Sequence, residues 1–327
     1  MKPIENASAA RTCLAALAVG AVLSLVLCVI VFLTFAPIDI LPEPATQPPD
    51  RRGTVEADAG TFTVAVMDVG QGVSVVVVAP DGTSLVYDTG RSGERIETTV
   101  IPYLEELGVE EIDYLVISHP HQDHIGGMPR LLDRMPVRNF VDPAIPTSNQ
   151  TYGHTLERVI EYDVNPILAR AGTSLDMGEG MQADILWPLE PFLDTSAEAD
   201  PNENSTVLQI SFGDVKVLLT GDIEGRAEEA IVEMLTNDEL QSDVLLVAHH
   251  GSNTSSSAEF LDSVSPSVAI IPVGFDNPYG HPHDEVMQRL RFRGITVHRS
   301  DLDGTVEMVS DGEQYTISID RTADDGN

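Results

Sequence analysis

The chain predicts an α/β fold, with two mixed sheets flanked by helices, and two patterns carry that prediction. From Phe62 onward the β-branched runs FTVAVM (62–67), VSVVVVA (73–79) and SLVYD (84–88) follow one another through Gly-containing turns, as in a meander. Later runs, YLVIS (114–118), TVLQISF (206–212), VKVLLT (215–220), DVLLVA (243–248) and SVAIIPV (267–273), are mostly separated by helical spacing, as in crossovers. Those helices fall at 98–108, 127–135, 225–235, 256–264 and 284–294. ITVHR, TVEMV and YTISI supply the closing strands. With 42% hydrophobic residues in 327, the chain has material for an extensive core.

Before this domain lies a different kind of sequence. After a short segment at 1–12, residues 13–36 read CLAALAVGAVLSLVLCVIVFLTFA without a charge, enough at about 1.5 Å per residue to cross about 30 Å of hydrocarbon. The apolar core of a cleaved signal peptide is only about 7–15 residues, so the run reads as a single transmembrane helix and a membrane anchor. Lys2 and Arg11 favour a cytoplasmic N-terminus, against Arg51 and Arg52 beyond the run, which places the folded part outside the cell. Residues 37–60 hold five prolines and no periodicity, the composition of a tether; 61–320 form the folded domain and 321–327 a polar tail.

Charge narrows the partners. There are 52 Asp and Glu against 18 Lys and Arg, a formal net charge of -34, and the only lysines are Lys2 and Lys216. Such self-repulsion is relieved when salt shortens the Debye length from about 10 Å at 0.1 M to about 3 Å at 1 M, which points to a halophilic setting. Strong non-specific binding to nucleic acid is disfavoured unless a local basic groove offsets the field. Cys13 and Cys28 both sit in the apolar run, so no thiolate is available to the domain and any metal must be held by His and carboxylates. A Lys-bearing phosphate loop, a G-x-S-x-G elbow and an aromatic-basic patch are all missing, and no nucleotide cofactor is expected.

The densest chemical signal is SHPHQDHIGG, 118–127, directly after the strand YLVIS. Three of the nine His fall within six residues beside one Asp. Alternation at His119 and His121 lets both imidazoles point one way from extended backbone, while Asp123 and His124 turn toward a second ion. Solvated turn residues would not concentrate imidazole this way.

H-x-H-x-D-H after a strand resembles the metal motif of the metallo-β-lactamase fold hydrolases. MDVGQGVSVVV (67–77), VYDTG (86–90), NENSTVLQISF (202–212), LLTGDIE (218–224), LLVAHHGSNTSSS (245–257), NPYGHP (277–282) and RSDLDGTVEM (299–308) stand in the order found in the hydrolase domain of the ComEC competence proteins. The resemblance spans Phe62 to Ile319 and implies a four-layer αββα metallo-β-lactamase sandwich. It lacks that family's many-helix channel, so it is similar to the detached hydrolase part.

By that resemblance, His119 and His121 would ligate one ion, Asp123 and His124 a second, and Asp222 would bridge them. His249 or His250 would complete the second site. The expected cofactors are two divalent ions, zinc or alternatively manganese. A third His common in the fold is absent; Asn202, Asn204 and Ser205 occupy its place, weaker donors that suit a harder ion. Asp68, Gln71 and Asp88 are expected to fix loops beneath the metals. Ser252 could meet substrate or cap a helix, and His281 could donate a proton or grip an anionic group.

The expected activity is metal-dependent hydrolysis, with Asp123, Asp222 and His281 as catalytic residues. The resemblance points to phosphodiester bonds, and so to a DNA or other ester substrate. The alternative is a metal-poor accessory module of an uptake or secretion apparatus. A surface protein that merely stores ions is disfavoured by the presence of Asp222 and the His249–His250 pair.

Overall fold

The structure, a computed structural model, describes residues 60–178, 180–193 and 201–321. The expected anchor at 13–36, nearly all of the tether and the tail beyond Arg321 lie outside the described residues. Among the described residues no helix is long and apolar enough to cross a membrane.

Fifteen strands are described: β1 (Phe62–Val66), β2 (Val75–Val78), β3 (Ser84–Tyr87), β4 (Ile112–Val116), β5 (Val137–Asp142), β6 (Asn165–Leu168), β7 (Ser174–Asp176), β8 (Gln182–Trp187), β9 (Val207–Phe212), β10 (Val215–Leu219), β11 (Val244–Leu246), β12 (Val268–Ile271), β13 (Thr296–Arg299), β14 (Val306–Ser310) and β15 (Tyr315–Ile319). One sheet has the order β15-β14-β1-β2-β3-β4-β5-β6, the other β13-β12-β11-β10-β9-β8-β7. Each is antiparallel in one half and parallel in the other: pairing turns parallel at β3–β4 and at β10–β11. Meander and crossover are therefore halves of each sheet, not the start and end of the chain.

Strand periodicity of two sorts the side chains into layers. Phe62, Val64 and Val66 of β1 pack inward with Val215, Val217 and Leu219 of β10. Ala65 turns outward to Ile96, Leu104 and Leu131 on one helical layer, and Leu218 and Leu245 turn outward to Ile231, Leu261 and Leu290 on the other. The result is helices, sheet, sheet, helices. Burying one Val or Leu contributes about 1.5–3 kcal/mol, against about 0–1 kcal/mol for an exposed ion pair, so the shared interior holds the sheets together.

The sequence reading missed β5 to β8 and the helix Gln150–Glu161. β5 carries Arg138 and Asn139 within its apolar residues, and β6 carries Pro166, tolerated because β6 is an edge strand. The helix buries only Thr155 and Val159, so its apolar stripe is thin; its start is signalled by Asn149, whose side chain accepts from Thr151 N at 2.8 Å.

The two sheets are stitched where they face the His-rich loop. Thr206 N donates to Ser118 O at 2.9 Å, Thr206 Oγ1 donates to Ile117 O at 3.0 Å, and the Tyr87 hydroxyl donates to Thr206 O at 2.6 Å. On the other side of that loop the backbone is packed too tightly for any side chain. A Cβ on Gly127 would stand 2.4 Å from Ile96 Cγ1 and 2.6 Å from Thr89 O. Gly127→Ala is expected to lower stability by about 1–3 kcal/mol. Chemical denaturation checks this, and an unchanged midpoint would refute the close packing.

Candidate metal centre

Three loops at the carboxyl ends of strands converge here, the usual place for a site in such sheets. The first follows β4 and carries His119, His121 and the short helix Gln122–Ile125 with Asp123 and His124. The second follows β10 and presents Asp222. The third follows β11 and presents His249 and His250, both in left-handed backbone at φ 51° and 54°. A non-Gly residue pays for that conformation in strain, and two in succession aim both rings from one turn.

Asp222 Oδ2 is the focus. His124 Nε2 stands 3.2 Å away, His250 Nε2 3.7 Å, and His119 Nε2 and His249 Nε2 3.9 Å each. Asp123 Oδ2 lies 3.4 Å from His250 Nε2, and His121 Nδ1 lies 3.0 Å from His119 Nε2. Two groups of donors each come close enough together for one ion: His119, His124 and Asp222, and Asp123, His124 and His250.

The rings are oriented from behind. Asp88 Oδ2 lies 2.7 Å from His124 Nδ1 and also accepts from Ser118 Oγ at 2.6 Å; Asp88 Oδ1 accepts from Ser118 N at 2.8 Å. His250 Nδ1 donates to Pro272 O at 2.7 Å. Both contacts keep a proton on Nδ1, so Nε2 is the nitrogen aimed at Asp222 and the one that a metal would take. His249 Nδ1 faces Glu224 Oε1 at 3.1 Å and is part exposed, whereas His250 is buried. Ser205 Oγ accepts from Asp222 N at 3.3 Å and fixes the turn that presents the carboxylate.

Electrostatics agree with an arrangement built around positive charge. Burial pushes the Asp222 carboxyl up, but His124 and His250 overcome it and hold it well below the usual carboxylate range. Burial pushes His124 down, and Asp222 with Asp88 reverse this and hold it well above the usual imidazole value. His119 is pushed well below its usual value by burial and by His124. The buried His124 Nε2, His250 Nε2 and Asp222 Oδ1 make no aligned hydrogen bond. Imidazole and carboxylate donors left bare at the point where buried anions demand a cation fit a divalent metal of borderline or hard character.

Around these groups lies a cleft of about 310 Å³ that also includes Gln71, Arg91, Asn202, Tyr279 and His281. His281 stacks near His250 with ring centres 6.2 Å apart, and its Nδ1 is buried without a hydrogen bond. Burial, with His250 and His249 close by, lowers its pKa to about 4, so the ring is neutral near pH 7.

The remaining predicted residues separate by place. Gln71 borders the cleft and accepts from Gly274 N at 3.0 Å, while Asp68 pairs with Arg321 beside a neighbouring hollow. Asn204 Oδ1 accepts from Leu193 N at 3.0 Å and Asn204 does not line the cleft; Asn202 does. Ser252 Oγ bonds Thr254 Oγ1 at 2.9 Å within its own turn, and the cap of helix Ala258–Val264 is Ser257 instead.

Several contributors escaped the sequence reading. Glu224 braces His249, and buried Glu228 accepts from Ser256 N and Ser257 N, anchoring the loop after His250. Asn277 Oδ1 accepts from Tyr279 N and His281 N. Only Asn277, a turn-forming residue two before Tyr279, had a local signal.

The description "Metallo-beta-lactamase superfamily" matches residues 67–274, and the chain belongs to that superfamily. Within it, the chain is 32% identical over 271 residues to ComE operon protein 3 of Bacillus subtilis, covering 78% of this chain and 34% of that one. It is 34% identical over 244 residues to competence protein ComA of Neisseria gonorrhoeae, covering 75% of this chain and 32% of that one. The chain thus spans about a third of the length of these curated relatives. Among solved structures, the metallo hydrolase Igni18 of Ignicoccus hospitalis aligns with a TM-score of 0.49 at 17% identity, over 75% of this chain and 98% of that one.

Proposed function

We propose that the chain is a membrane-anchored, metal-dependent hydrolase of phosphodiester bonds, with its domain outside the cell and DNA among its candidate substrates. The observation that carries the reading is the convergence of four imidazole Nε2 atoms within 3.9 Å of one carboxylate oxygen, Asp222 Oδ2. His119 and His121 would hold one ion and Asp123, His124 and His250 the other, with Asp222 shared; His249, braced by Glu224, borders the centre. Of Asn202, Asn204 and Ser205, which stand where the fold commonly has a third His, Asn202 is the one that lines the cleft. Zinc suits the imidazoles, with manganese as the alternative.

Divalent ions bound there would supply water activation near neutral pH and neutralise charge developing on an ester oxygen. Asp123 and Asp222 orient the attacking water, being the carboxylates that border the cleft. Neutral His281 offers an N–H to the leaving oxygen from the opposite loop. Similarity to competence proteins supports a diester, and the run at 13–36 supports the anchor.

The test loads the full chain in detergent with zinc or manganese across 0.1–3 M salt, an order-of-magnitude window set by screening, and follows p-nitrophenyl methyl phosphate. Turnover lost on chelation and restored by metal is expected. A chain that neither takes up stoichiometric metal nor cleaves a diester at any salt would leave the metal-poor accessory-module alternative standing.

A further inference from the structure

Two side chains at the cleft mouth have no part in holding metal. Tyr279 is 53% exposed and stacks on His281 at 5.7 Å with 26° between the rings, so one face is covered and the other is open. Its backbone is pinned: Asn277 Oδ1 accepts from Tyr279 N at 3.2 Å and from His281 N at 3.0 Å, and Asn277 Nδ2 donates to His281 O at 2.7 Å. A ring held this way loses little freedom when a flat partner arrives.

Arg91 is the only Arg or Lys among the described residues lining the cleft. In so acidic a chain most arginines are engaged: Arg130 with Glu97, Arg138 with Glu111, Arg158 with Asp133, Arg293 with Asp262. The Arg91 guanidinium has no carboxylate partner among the described residues, and its loop is tied to the metal loop through Arg91 O, which accepts from Gln122 Nε2 at 3.3 Å. An exposed cation left unpaired in a field of net charge -34 is available to an anion.

Resting on the phosphodiester reading above, we propose that Tyr279 and Arg91 form a nucleotide subsite, Tyr279 stacking on a base and Arg91 pairing with the phosphate next to the scissile one. The chemistry suits both: every base has a π-face, and a guanidinium matches phosphate with two parallel hydrogen bonds. Arg91 follows β3 and Tyr279 follows β12, so the two sheets each contribute one wall. This is also the local basic feature that an acidic nucleic-acid enzyme needs.

Three chromogenic diesters separate the contributions in the metal-loaded full chain: p-nitrophenyl methyl phosphate, the p-nitrophenyl ester of thymidine 5′-phosphate, and the same ester carrying a 3′-phosphate. The ratio of kcat/KM for the base-bearing over the base-free diester is expected to fall about tenfold in Tyr279→Ala and to survive in Tyr279→Phe. Arg91→Gln is expected to cut the preference for the 3′-phosphate about tenfold. A wild-type chain without preference for the base, or an unchanged ratio in Tyr279→Ala, overturns the subsite. Should the wild type cleave none of the three, the phosphodiester reading fails by itself. The subsite is then decided by binding of thymidine 3′,5′-bisphosphate, where no binding, or equal affinity in wild type and Tyr279→Ala, rejects it.

Discussion

Asp222→Ala is expected to lower diester turnover by about a thousandfold or more and to remove most bound metal, while far-ultraviolet circular dichroism keeps its native shape. The size follows from position. One oxygen of this carboxylate lies within 3.9 Å of four imidazole nitrogens, so its loss withdraws the one anion common to them among the described residues. The same variant leaves His124 beside Asp88 alone and removes the larger of the two influences that keep it protonated. Metal analysis of the purified variant, alongside turnover in high salt, checks both halves; full metal content with wild-type rate would end the assignment.

Asp88→Asn tests a group that touches no substrate. The replacement keeps an oxygen for Ser118 N but can place an amide N–H against His124 Nδ1, at the 2.7 Å contact now made by Asp88 Oδ2. His124 must then carry its proton on Nε2, aimed at Asp222, and can no longer offer a lone pair there. Metal affinity is expected to fall about 10- to 100-fold, measured by competition with a chromogenic chelator. A dissociation constant equal to that of the wild type would show that the Asp88–His124 contact does not set the tautomer.

The sequence displayed the centre more clearly than its supports. His119, His121, Asp123 and His124 crowd one loop because a single strand end presents them, and such density is visible in one dimension. Asp222 and His250 were legible only through resemblance, since nothing local separates a TGD turn that binds metal from one that merely turns. His249 and His250 differ by a contact that no local pattern displays: the His250 ring reaches a backbone carbonyl, Pro272 O, 22 residues away. Glu224 and Glu228 look like any carboxylates of an acidic helix start until the fold brings Thr254 and Ser256 against them. Edge strands such as β6, with Pro166, break the patterns by which strands are recognised.

The hydrogen bonds of Thr206 and Tyr87 mark the seam between the sheets, and the donor set straddles it: His119 to His124 belong to one sheet, Asp222 and His250 to the other. A cation gripped from both sides acts as a rivet, closing only when the halves have docked. Binding the native state alone, metal at a hundredfold excess over its dissociation constant adds about 2.7 kcal/mol to stability. The thermal endurance of this protein is thereby expected to follow the ion supply of its surroundings.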